Sequence, residues 1–279
     1  MTSALEHYNN PSLQQAINSM VATAALEKVY LYGVSQLQVY AETIFVQEPV
    51  IHQWLAGYHF LVLTPDNDKR RLPELTDQLE NTISKGRTST IYALPVTEFN
   101  SWLQNGHPFA CKIYYRAVCV YDAGIIPLVV PNPCDEDEID RQLQKMLTHH
   151  LMLAGEFMEG ADLFRFRQNY PLAAFHLHQA CEQLYTGIIQ YITGLRISSH
   201  NLMKLYRHSG NLVGGLIDIF PMHQEKEKKL FQLLQAAYTG ARYTDNYYIS
   251  HDELADLRKR ITQILTLCQS LFHRTLTIF

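Results

Sequence analysis

The run from Tyr170 to Gly194 constrains this chain more than any other stretch. Its apolar residues Leu172, Phe175, Leu177, Ala180, Leu184, Ile188 and Tyr191 recur at helical spacing. Pro171 suits a first helical turn, where its missing N–H is not needed, and Gly194 suits a C-terminal stop. Gln179 and Glu182 are three residues apart and therefore share one face of that helix. The C-terminal half reads as other helices gathered around this one.

Ile139–168, 171–193, 200–209, 222–239 and 252–276 all carry helical patterning, joined by short links, which predicts an antiparallel bundle. The bundle is introduced by Cys134-Asp-Glu-Asp-Glu138, an acidic start suited to a helix N-terminus, after the prolines 127, 131 and 133. Before that point the patterning is mixed. Pro11 opens a helix through Leu26, and Val29-Tyr-Leu-Tyr-Gly33 reads as a strand ending at a glycine turn. Residues 38–45 and 58–64 are further strands, 72–84 a helix, and 89–94 a strand. Residues 97–106 form a short helix with Thr97 as N-cap, and 117–121 a last strand. The reading is an α/β (α+β) domain over 1–133 followed by an all-α bundle over 134–279.

With 279 residues, 47% apolar and 18% charged, each half can bury its own core. A net charge of -4 gives no global attraction to nucleic acid, so any such binding needs a local basic patch. No signal peptide or spanning segment is apparent. Five cysteines at wide, irregular spacings form no CxxC pair, which points to a reducing, cytoplasmic setting.

Three elements of the helical half resemble the HEPN family. Ala173–Gly187 (AAFHLHQACEQLYTG) is similar to its A-x-F-x-x-x-Q-A-x-E pattern. Ser199-His-Asn-Leu202 with Leu205 resembles the element opening its short third helix, and Ala241-Arg-Tyr-Thr-Asp245 its Arg-Tyr segment. Such bundles often follow a nucleotidyltransferase-like domain, and the first half has that outline. The strand Val29–Gly33 resembles the one leading into that family's Gly-Ser turn. Here Val34 follows the glycine and Ser35 comes one place late. Gly57-Tyr-His59 stands where two metal-binding aspartates would alternate. Nucleotidyl transfer needs carboxylates to hold magnesium, so this half is expected to lack transferase activity. Asp66 and Asp68 would be a substitute pair, although turn aspartates usually bond their own backbone.

The resemblance implies nucleotide or nucleic-acid binding, ATP or GTP being the nucleotides in view, in a toxin–antitoxin or defence setting. It also implies pairing of bundles into a homodimer. Some family members are metal-independent ribonucleases with an arginine and a histidine four to six residues apart. Here eight residues separate Arg242 from His251, so a ribonuclease is the alternative, and a non-enzymatic partner-binding regulator a third. The candidate ligand-binding residues are Arg242, Tyr243, Asp245, Gln179, Glu182, His200 and Lys204. Arginine can hold phosphate while neighbouring tyrosine rings stack on a base. The plainer alternative is that Arg242 pairs with a carboxylate such as Glu182 while Gln179 and Glu182 orient the helices. His200 and Lys204 sit where a helix N-terminus would attract an anion. His176 and His178, two apart, lie on different helix faces and suit no metal.

Overall fold

The computed structural model describes residues 11–41, 50–66, 71–83, 89–133, 135–197, 199–243 and 246–275, with side chains at 36–56 and 272–275 left aside. The chain divides into two compact units, Met1–Cys134 and Asp135–Phe279.

The first unit comprises α1 (Pro11–Thr23), β1 (Lys28–Ala41), β2 (Val50–Thr64), α2 (Leu72–Ile83), β3 (Thr90–Pro95), α3 (Val96–Gln104), α4 (Pro108–Arg116) and β4 (Val118–Asp122). Its sheet has the order β3-β2-β1-β4, with β1 antiparallel to both neighbours and β2 parallel to β3. Alternation along the strands decides the two faces. Val29, Leu31, Tyr58, Phe60, Val62, Ile91 and Ala93 join Leu13, Ile17 and Met20 of α1 and Leu75 and Leu79 of α2 in one core. On the other face Tyr30, Tyr32 and Tyr92 set their rings against Phe99, Trp102 and Phe109 of α3 and α4.

Several expectations change here. Gly33 ends no strand: β1 runs on to Ala41, and residues 38–41 belong to the same strand as Val29, while 42–45 lie outside the described residues. Gly33 sits beside a register shift and opposite His59. A Cβ there would stand 3.0 Å from His59 Cδ2, so the glycine is used for close approach rather than for a turn. Thr97 caps nothing. α3 starts one residue earlier with Pro95 as its cap, and Thr97 Oγ1 instead donates to Asp66 Oδ1. The α4 helix was not anticipated, although Pro108 at its first position is a start signal.

The second unit comprises α5 (Glu136–Phe166), α6 (Tyr170–Thr193), α7 (Leu202–Gly210), the short α8 (Leu216–Ile219), α9 (Glu225–Tyr243) and α10 (His251–Thr275). Side chains write the boundaries. Asp135 caps α5 by accepting from Glu138 N–H, and Asn169 caps α6 by accepting from Leu172 N–H. Gly194 ends α6 at φ 79°, the left-handed conformation that favours glycine. Ser250 and Glu253 form a reciprocal capping box at α10. α6 contacts α5, α7, α9 and α10, so it is the element the bundle surrounds. The α5–α6 pair is set close by two glycines. A Cβ at Gly160 would lie 2.5 Å from His176 Nδ1, and one at Gly187 would lie 2.9 Å from His150 Cβ. Among the described residues no helix is long and apolar enough to cross a membrane.

Candidate functional site

The residues singled out at the end of α9 gather around one ring, that of Tyr238. Tyr238 and Arg242 are four apart on α9 and so share a face. Arg242 Nε donates to Tyr238 carbonyl oxygen at 2.7 Å, and its guanidinium carbon stands 4.4 Å from the Tyr238 ring centroid. The same guanidinium is 4.9 Å from the Phe175 ring of α6 and 4.8 Å from that of Tyr243. Three π-faces thus satisfy a cation that has no carboxylate partner among the described residues. Tyr243 and Tyr248 leave 74% and 77% of their surfaces open to solvent.

His200 reaches the same tyrosine from the loop after α6. Its ring stacks on Tyr238 at 4.6 Å and 17°. Its Nδ1 lies 3.0 Å from Glu182 Oε2, so the glutamate engages His200 rather than Arg242. That loop is clamped by Gln235, one turn before Tyr238 on α9. Its Oε1 accepts from Leu202 N–H at 2.6 Å, and its Nε2 donates to His200 carbonyl oxygen at 3.3 Å. Leu202 and Leu205 anchor the start of α7 in the core. His200 is not the cap of α7: Asn201 is, accepting from Lys204 N–H.

His178 lies beneath this arrangement. It is fully buried, tilted against Tyr238 at 5.1 Å, with Nδ1 3.2 Å from Gln179 Nε2 and 3.9 Å from Glu182 Oε2. Burial pushes its pKa down to about 4; the His200 backbone opposes this, and the His200 and Arg242 charges reinforce it. The ring is therefore neutral at pH 7. His176 turns instead toward Gly160 and the rings of Phe157 and Phe164, on α5.

Arg242, His200, Glu182 and Gln179 are thus linked through Tyr238 and His178, with Tyr243 beside Arg242. Lys204 occupies the first turn of α7, and Asp245 lies outside the described residues. His251 opens α10 beside Asp252 and meets the Tyr170 ring at 5.9 Å. Gln235 and the buried His178 were not among the expected site residues. The three-residue spacing from Gln235 to Tyr238 was the available signal for the first, and nothing local marks the second.

In the first unit, His59 sits where a metal-binding acid was looked for. Its Nε2 lies 2.6 Å from Ser35 Oγ and its Nδ1 2.8 Å from Thr90 Oγ1, so both nitrogens are engaged in holding strands together. Asp66 is exposed and bonded to Thr97, and Asp68 lies outside the described residues. Among the described residues no group of three or more histidine, cysteine or carboxylate side chains is placed to hold a metal ion.

No curated protein matches the chain. Residues 149–271 match the family model of the HEPN domain, a span that runs from the middle of α5 to near the end of α10 and includes every part of the Tyr238 cluster. The helical unit therefore carries a HEPN domain over residues 149–271.

Proposed function

We infer that the helical unit binds nucleotide or single-stranded nucleic acid without turning it over. Arg242 would meet the phosphate, and the exposed rings of Tyr243 and Tyr248 would stack on bases. The observation that carries this reading is the Arg242 guanidinium, held by three aromatic rings and by no carboxylate among the described residues. A guanidinium already oriented by rings loses little freedom on meeting phosphate, and base stacking contributes about 1–3 kcal/mol per base. Thermal shift with ATP and GTP, and fluorescence anisotropy with a short labelled RNA, test it. Arg242→Ala should weaken binding about tenfold or more; a folded wild-type chain that binds none of these ligands rejects the reading.

A second reading, metal-independent RNA cleavage by Arg242 and His251, draws on one observation. Both residues pack on the start of α6, Arg242 on Phe175 and His251 on Tyr170. RNA cleavage that survives in Arg242→Ala would remove that assignment. The mixed sheet of the first unit is assigned as nucleotidyltransferase-like and inactive, on the grounds that Gly33 lies within a strand and His59 is committed to Ser35 and Thr90. Homodimerisation through the bundle is supported by Leu163 and Phe166, exposed at 48% and 87% near the end of α5. Light scattering on Phe166→Asp is its check: the variant should be monomeric where the wild type is not.

A further inference from the structure

A separate cleft of about 790 Å³ opens between α5, the second half of α6 and the loop that follows it. α5 contributes Lys145, His149 and His150, and the loop contributes Arg196 and His200. Its base is fixed by hydrogen bonding across the helix pair. His150 Nδ1 lies 2.8 Å from Gln183 Oε1, and its Nε2 lies 3.1 Å from Gln190 Oε1. Gly187 allows this by letting α6 approach the His150 Cβ.

The charge balance of the cleft is one-sided. Glu182 is the one carboxylate among its described lining residues, and it is already engaged by His200. Lys145 and Arg196 are exposed and form no ion pair among the described residues. On a chain of net charge -4, two unengaged cations facing one cleft favour an anion there. A cation is not favoured, since no described group is placed to hold a metal. The volume lies within the roughly 300–1,000 Å³ of small-molecule sites and far exceeds what one phosphate fills. Met146 and Leu153 give one wall an apolar surface against which an organic group can rest.

We propose that this cleft is a binding site for a phosphorylated small molecule of nucleotide size, with Lys145 and Arg196 holding its phosphates. Arg242 does not line the cleft, so the site stands apart from the Tyr238 cluster and does not rest on the reading given above. His200 adjoins both, through Glu182 on one side and Tyr238 on the other.

Calorimetric titration of the full chain with ADP, pyrophosphate and adenosine decides the matter. ADP should bind more tightly than pyrophosphate, and adenosine should not bind measurably. Lys145→Gln and Arg196→Gln should each weaken ADP binding about tenfold, the loss expected for one charge-assisted contact. Arg242→Ala should leave ADP affinity unchanged. No binding of ADP or pyrophosphate, or unchanged affinity in the doubly substituted chain, overturns the proposal. Pyrophosphate binding as tightly as ADP removes the organic part of the ligand. Loss of ADP binding in Arg242→Ala alone moves the nucleotide to the Tyr238 cluster and leaves the cleft without a ligand.

Discussion

The buried His178 should make the helical unit sensitive to acid. The folded pKa lies at about 4 against a model value of 6.5, because an imidazolium inside α6 would be stripped of water. Glu182 at 3.9 Å would favour the charged ring, but the cost of burial outweighs it, and His200 and Arg242 add to that cost. A depressed folded pKa fixes the sign. Stability from this group is fully present above pH 6.5 and is lost as pH falls toward 4, because the unfolded chain takes up the proton first. Between pH 7 and pH 4.5 the loss amounts to about 2 kcal/mol, or roughly 6 °C in Tm for a unit of this size. Melting curves of the wild type and of His178→Gln across that range provide the assay. The variant starts from a lower Tm, but its decline with acid should be shallower by that amount. Parallel profiles for the two chains would refute the assignment of a neutral, buried His178.

Arg260 pairs with the buried Glu227 across α10 and α9, so Arg260→Met should cost about 3 kcal/mol by leaving a carboxylate buried without its counterion. Adding Glu227→Gln should recover part of that loss in urea unfolding, which a pair of independent sites would not do. Gly160→Ala should destabilise the unit by about 1–2 kcal/mol. The new methyl would meet the His176 ring, which is held by Phe157, Phe164 and Phe175, and this outweighs the better helix propensity of alanine. In the first unit Glu80 is buried on α2 and accepts from Ile91 N–H of β3 at 3.0 Å. Glu80→Ala should cost about 2 kcal/mol, measured by thermal unfolding, and Glu80→Gln clearly less.

The sequence by itself determined the elements whose cause is local. The apolar period, Pro171 and Gly194 mark α6, and the acidic run from Asp135 marks the start of α5, since caps and periodicity act within a few residues. The centrality of α6 was equally legible, because a helix apolar on so much of its circumference has to be covered. Only tertiary structure decided the partners. Glu182 bonds His200 rather than Arg242, and Arg242 is satisfied by rings from two helices, because helix packing sets which polar tips meet. Gly33 reads locally as a turn and becomes strand, because β2 supplies the pairing that continues β1 and His59 takes the space a side chain would fill. The α5–α6 cleft left no local trace in the sequence, since Lys145 and Arg196 are fifty-one residues apart and meet only when the helix pair closes at Gly187.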